Sequence, residues 1–294
     1  MDMDFKALIR KPGVKPALII GNGVNLYDSA DGTSNWLQLL LQLWRNNIGS
    51  VTKEALEGIS LTEFYDALDL KVGKSSKSLQ EEFCKGMAHW QAKEHHHIIV
   101  QWAMNNQCPI LTTNFENTLS DSLGLELHRL TALKFTDFYP WSNYYADKPI
   151  SDTSNEFAIW HINGMQHYKR SIRLGLSHYM GSVERARPML HKSGNRLFYR
   201  AEFSKWPGRH TWLNAVFQND LFIFGLSLEV TEVFLRWLLI ERAKFFKKFP
   251  ENKREAFYIH DKPLAPGQQL FLESVGITPT KVQSYFDIYV APWE

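Results

Sequence analysis

Five short apolar runs recur along the chain, and each ends abruptly on a different kind of residue. Ala17 to Ile20 stops at Gly21, and Pro109 to Leu111 stops at Thr112. Ala158 to Trp160 stops at His161, Leu221 to Phe224 stops at Gly225, and "AFYIH" ends at His260. These runs are continuous rather than alternating, the mark of strands covered on both faces. Between them the spacing changes. Trp36, Leu37, Leu40, Leu41 and Trp44 fall at helical intervals. Residues 50 to about 106 read as helical, with Ser60 and Glu63 forming one capping box and Ser78 and Glu81 another. The polar stretch Lys71 to Ser78 joins them. A long helix is predicted from about Val230, and "SIRLGLSHYM" and "KVQSYFDIYV" read as further short strands. The segment from Lys192 to Trp212 is polar, aromatic and punctuated by glycine, and has no assignable period.

Strands separated by helices predict an α/β fold: a Rossmann-like, mostly parallel sheet covered by helices on both faces, with a helical insertion. The whole of 1–294 reads as a single domain, its core at about 12–45 and 107–294 and its insertion at about 46–106. Ligands of such sheets bind beyond the carboxyl ends of the strands, so the residues after each run carry the chemical information. They are Gly21, Asn22, Gly23 and Asn25; Thr112, Thr113, Asn114 and Glu116; His161, Asn163 and Gly164; Gly225, Ser227 and Leu228; and His260 with Asp261. Read alone, His161 fits a satisfied core histidine or a base aimed into a cleft. Its shared placement with four other strand ends favours the cleft.

Composition narrows the function. The 294 residues carry 33 basic and 31 acidic side chains, a formal charge of +2, without the basic footprint of a nucleic-acid binder. The densest basic stretch, Glu241 to Arg254, reads as a solvated helix end. Two cysteines, Cys84 and Cys108, build neither a disulfide framework nor a four-cysteine zinc site. The N-terminal segment lacks the apolar core of a secretory signal, and no apolar run has the length of a membrane span. A cytoplasmic protein with no membrane contact is expected. Three consecutive helical residues point about 100° apart, so His95, His96 and His97 are expected at the surface and not on a metal.

The strand-end motifs resemble the sirtuin-like superfamily, and within it the bacterial sirtuin-like NAD hydrolases of anti-phage defence. "GNGVN", Gly21 to Asn25, is similar to the family's phosphate loop. "TTNFE", Thr112 to Glu116, is similar to its amide motif, and "HING", His161 to Gly164, to the segment of its catalytic histidine. "GLSL", Gly225 to Leu228, resembles the motif on the adenosine side. The four motifs in order span nearly the whole chain. Deacylating sirtuins add a four-cysteine zinc module and a proline-phenylalanine-arginine turn, and this chain has neither, which leaves NAD cleavage as the shared chemistry. The adenosine-side asparagine of many sirtuins has no clear counterpart, and "YIHD" stands at a comparable place.

The resemblance implies an enzyme that takes NAD+ as its substrate, needs no further cofactor or metal, and releases nicotinamide and ADP-ribose. Breaking the nicotinamide–ribose bond frees a neutral leaving group and gives the ribose oxocarbenium character. The protein must hold the sugar and deliver one nucleophile. His161 is assigned as general base and Asn114 as the group orienting water or ribose. Gly21, Asn22 and Gly23 are assigned to the pyrophosphate. Thr112, Thr113, Gly164, Gly225, Ser227 and Leu228 are assigned to the remaining contacts. Asn25 fits either a helix cap or a ligand contact. Leu26 stands where a dinucleotide fingerprint has its third glycine, which disfavours a hydride-transfer dehydrogenase. Uncontrolled NAD loss would kill a host, so control by homo-oligomer assembly or a regulatory partner protein is expected. The alternatives are a sensor or scaffold that binds NAD or ADP-ribose without cleaving it, and transfer of ADP-ribose to another nucleophile.

Overall fold

The computed structural model describes residues 4–28, 35–50, 56–73, 78–130, 134–192 and 194–294. The middle of the expected loop after Gly23, the centre of the Lys71 to Ser78 stretch and residue 193 lie outside the described residues.

Eight strands form one open sheet. They are β1 (Pro16–Ile20), β2 (Ile110–Thr112), β3 (Glu126–Arg129), β4 (Asn143–Ala146), β5 (Ile159–His161), β6 (Asp220–Phe224), β7 (Ala256–His260) and β8 (Thr278–Lys281). Their spatial order is β3-β4-β5-β2-β1-β6-β7-β8. The pairs from β5 to β8 are all parallel, while β3–β4 and β4–β5 are antiparallel. Taken by chain position, the six parallel strands run third, second, first, fourth, fifth, sixth. That is the doubly wound order, and the direction of winding reverses between β1 and β6. Three register pairs, Ile20 with Thr112, Ile20 with Phe224 and Thr112 with His161, bring four strand ends into one row. The α/β, Rossmann-like class read from the apolar runs is the observed one.

The continuous runs are explained by the two cores. Ala17, Ile19, Leu111, Trp160, Leu221 and Ile223 face one apolar cluster, under the helices Leu213–Gln218 and Val233–Lys248. Leu18, Ile20, Ile110, Ile159, Phe222 and Phe224 face the other, under Phe5–Ile9, Glu94–Asn105 and Phe286–Tyr289. Alternate residues thus supply opposite faces. A third cluster lies off the sheet. It joins the helices Trp36–Asn47, Leu61–Val72 and Leu79–Gly86 to Phe115, Ile172 and Leu174. The segment 46–106 therefore divides. Its first two helices pack with Trp36–Asn47 as a block, and Glu94–Asn105 lies on the sheet itself.

Several local readings need correction. The Ser60–Glu63 box forms fully, with Ser60 N–H donating to Glu63 Oε2 at 2.9 Å. At the second box Ser78 caps its helix, but Glu81 turns away to Lys169 at 2.9 Å. "SIRLGLSHYM" is no strand: Leu176–Arg187 is a helix, and His178 Nδ1 accepts from the backbone N–H groups of Leu174 and Gly175 at its start. Late in the chain, Phe286–Tyr289 is helical and the strand precedes it. The basic stretch is not wholly solvated. Arg242 is 2% exposed and donates to the carbonyls of Val216, Asn219, Arg254 and Glu255. Strands β3 and β4 were not anticipated, because "ELHR" and "NYYA" carry no apolar run. Both margins of the sheet are polar: β3 exposes Glu126 and Arg129, and β8 carries Pro279 and Lys281. Among the described residues no helix is long and apolar enough to cross a membrane.

Candidate active site

A cavity of about 570 Å³ opens at the carboxyl ends of the central strands, at the winding reversal. That volume is in the range of small-molecule and cofactor sites. The end of β1 contributes Asn22 and Gly23 to its wall, and the end of β6 contributes Gly225 and Ser227. The two turns meet closely. Gly21 N–H donates to Phe224 O at 3.0 Å and Gly23 N–H to Gly225 O at 2.6 Å. A Cβ on Gly21 would stand 2.4 Å from Leu226 Cβ. The first glycines of "GNGVN" thus serve the approach of β1 to β6, and their amides are already engaged. The helix after them, Gly23–Leu26, is a single turn. A single turn aligns too few peptides to add a substantial dipole behind these amides.

At the end of β2, Thr112 Oγ1 donates to Ile20 O at 3.0 Å and accepts from Asn114 N–H at 3.1 Å. Thr112 is therefore a clamp between neighbouring strands and stands off the wall, while Thr113 and Asn114 line it. Asn114 is 1% exposed. Its Nδ2 reaches Gly21 O at 3.5 Å, and its Oδ1 finds no partner among the described residues. At the end of β5, Asn163 lines the cavity with both side-chain polar atoms unpartnered.

His161 lies directly behind Asn114. Its Nδ1 is 2.7 Å from the Asn114 carbonyl oxygen. A carbonyl only accepts, so Nδ1 carries the hydrogen and Nε2 presents a lone pair. That lone pair is buried and unpartnered. Burial pushes the His161 pKa down to about 4, against a smaller raising effect of the Asn114 bond, so the ring is neutral near pH 7. His161 itself is not on the cavity wall. Its ring packs edge-on against Tyr145. The two catalytic candidates meet through a backbone carbonyl, and only Asn114 faces the cavity.

Behind the wall runs a buried polar network. Asn25 donates to Asn22 Oδ1 at 2.9 Å and to Glu116 Oε1 at 2.8 Å, and accepts from Thr118 Oγ1 at 3.0 Å. Lys93 N–H donates to His96 Nδ1, so His96 Nε2 carries a hydrogen and meets Asn25 Oδ1 at 3.1 Å. Asn25 is neither helix cap nor wall residue. It braces the β1 loop against the β2 loop. Glu116 is 3% exposed, and burial drives its carboxyl pKa up against the hydrogen bonds from Asn25, Thr118 and Asn114. His95 and His96 are buried, at 4% and 1% exposed, with His95 Nε2 2.7 Å from Val24 O. The surface placement expected of them is overturned, because Glu94–Asn105 packs this end onto the β1 turn. Among the described residues no three His, Cys, Asp or Glu side chains converge as metal ligands would.

Gly164 and Leu228 also stand off the wall. Gly164 has φ +102, and a Cβ there would lie 2.1 Å from Ser171 O, so glycine is required for the chain crossing. Leu228 is fully buried with φ +49, and its carbonyl accepts from Arg236 at 2.8 Å. His260 and Asp261, after β7, line the wall as well, while its helical side was not anticipated. Trp36, Leu40, Leu61 and Thr62 come from the helical block, and Tyr179, Glu229 and Glu232 flank the start of the long helix. Glu232 is part-buried as a residue, but its Oε2 is sealed from solvent and has no partner among the described residues. Burial, with Glu229 adding repulsion, pushes its pKa up to about 7. A single glutamate ahead of a helix reads as an ordinary N-terminal charge, so periodicity carries no signal for it.

Fold and cavity together define the class: an open, doubly wound α/β protein with a cavity at its switch point. No protein-family model matches the chain, and neither does any curated protein.

Proposed function

We propose that the protein is a sirtuin-like NAD+ glycohydrolase that cleaves the nicotinamide–ribose bond to give nicotinamide and ADP-ribose. The observation that carries this reading is the convergence of Asn114, Asn163 and His161 on neighbouring strand ends, each with a buried polar atom unpartnered among the described residues. Leaving such an atom unpaired costs about 1–3 kcal/mol, which a bound polar ligand or water would recover. In this reading Asn114 and Asn163 hold the ribose and the attacking water. Neutral His161 orients Asn114 through its carbonyl. The doubly wound order supports a nucleotide across the β1–β6 crevice. As an effector of anti-phage defence, the enzyme would be held inactive until assembly or a partner protein releases it.

The test is product analysis. Purified protein is incubated with NAD+, and nicotinamide and ADP-ribose are quantified. Asn114→Ala and His161→Ala should each lower turnover about a hundredfold or more. Unchanged turnover in both variants, with the fold intact, would remove the assignment.

The position of His161 behind the wall favours one second reading, a sensor that binds NAD or ADP-ribose without cleaving it. Saturable ADP-ribose binding with no product at any enzyme concentration would select that reading. An ADP-ribosylated acceptor in place of free ADP-ribose would select transfer.

A further inference from the structure

The cavity holds a second carboxyl, from a part of the chain that the strand-end motifs do not reach. We propose that Glu232, not His161, is the side chain in contact with the substrate cavity that takes the proton from the attacking water. The inference rests on the NAD-cleaving reading above and names the base of that same site.

Three observations carry it. First, Glu232 lines the cavity together with Asn114 and Asn163, whereas His161 does not. Second, Glu232 Oε2 is sealed from solvent without a partner among the described residues, although the carboxylate stands at the start of the helix Val233–Lys248. A structural carboxylate in that position is ordinarily satisfied by the first N–H groups of its helix. Third, among the described residues no cation pairs with it, Arg173 being engaged by Phe138 O and the Tyr139 ring. Glu229 faces it from the preceding turn, and the Tyr179 hydroxyl from the helix Leu176–Arg187. Arg236, one turn along, is committed to Leu228 O and lies over the Phe271 ring. Asp261 and Lys262 line the cavity from beyond β7. Burial and the like charge of Glu229 thus set Glu232 to change protonation near neutral pH, where a general base is most effective.

The step balances without a further reactant. Water oxygen bonds to the ribose C1′ as the C1′–N bond breaks, and that bonding pair goes to the nicotinamide ring, which leaves neutral. The water proton passes to the Glu232 carboxylate and then to solvent. NAD+ and water give nicotinamide, ADP-ribose and one proton.

The base must be deprotonated, so turnover should rise with pH through about 7 in the wild type. Turnover is measured between pH 5.5 and 9 for wild type, Glu232→Gln, Glu232→Asp and Glu229→Gln. In parallel, carbon NMR of protein labelled at the glutamate carboxyls follows Glu232, assigned by its loss in Glu232→Gln, with and without ADP-ribose. The expected result has four parts. Glu232→Gln loses about a hundredfold in turnover and its rise with pH, with ADP-ribose still bound. Glu232→Asp retains part of the rate. Glu229→Gln moves the rise to lower pH, because a like charge is gone. The Glu232 resonance titrates near neutrality and shifts when ADP-ribose binds. Wild-type turnover and pH profile in Glu232→Gln would overturn the proposal while leaving NAD cleavage standing. No turnover in the wild type, with the Glu232 signal still responding to ADP-ribose, would overturn the NAD-cleaving reading and the base role with it.

Discussion

At the scale of the residue, the central fact is how neutral the buried imidazoles are. Burial lowers His161 to about 4 and His96 to about 3, and each ring has one tautomer selected by a backbone group. An unfolded histidine titrates near 6.5. Between pH 6.5 and 4 the unfolded chain therefore binds protons that the folded chain refuses. The two rings lower stability as pH drops through that window, and His96 continues to do so down to about 3. For His161 the loss is on the order of 3 kcal/mol. Urea unfolding midpoints measured from pH 7.5 to 4 should show it, and His161→Gln should flatten part of the slope. Glu232 and Glu116, raised by burial, take up protons over the same range with the opposite sign, so the histidine contribution is read from the difference between wild type and His161→Gln, and equal slopes in the two would contradict this burial. The residue scale is also where the sequence was least legible. His161 and Asn114 stood out because each ends an apolar run. Asn25 and Glu116 were visible as neighbours, but not as a brace between loops 91 positions apart. His95 and His96 misled because spacing says which way side chains diverge, not which neighbour covers them. Glu232 had no sequence signal, since its character comes from enclosure and Glu229 together.

At the scale of the element, legibility followed burial on two faces. β1, β2, β5, β6 and β7 announced themselves as unbroken apolar runs because both sides of each are covered. β3 and β4 pair antiparallel at the margin and need no such run. The helix Leu176–Arg187 was missed because Ile172, Leu174 and Leu176 alternate as in a strand, and its start relies on His178 bonding back to two backbone amides. Arg242 shows how tertiary packing overrides local composition. On a helix end rich in lysine it turns inward and satisfies four carbonyls from the ends of neighbouring elements. Removing that cation leaves those oxygens buried without their donor. Arg242→Leu should cost about 3–5 kcal/mol of stability, read as a lowered chemical-denaturation midpoint. A change within 0.5 kcal/mol, roughly the scatter of surface substitutions, would show that the carbonyls find other donors.

At the scale of the whole molecule, the helices Trp36–Asn47 and Leu61–Val72 are joined to the sheet in part through Phe115, whose ring centre lies 4.5 Å from that of Trp36. Their residues form one side of the cavity, so a ligand there would bridge block and sheet. Added ADP-ribose should slow amide exchange in both helices and leave the carboxyl half of Val233–Lys248 unchanged. Protection confined to β6 and the long helix would mean that the block takes no part in binding. The sheet's two margins bear on a different matter, how copies of the chain meet. At one margin a foreign strand would have to lie beside the charges of Glu126 and Arg129, and at the other beside a proline that offers no amide hydrogen and a lysine. Neither rim invites continuation of the sheet from molecule to molecule. A larger particle bolted together through helix surfaces would be free to change its geometry without disturbing the strands that frame the cleft.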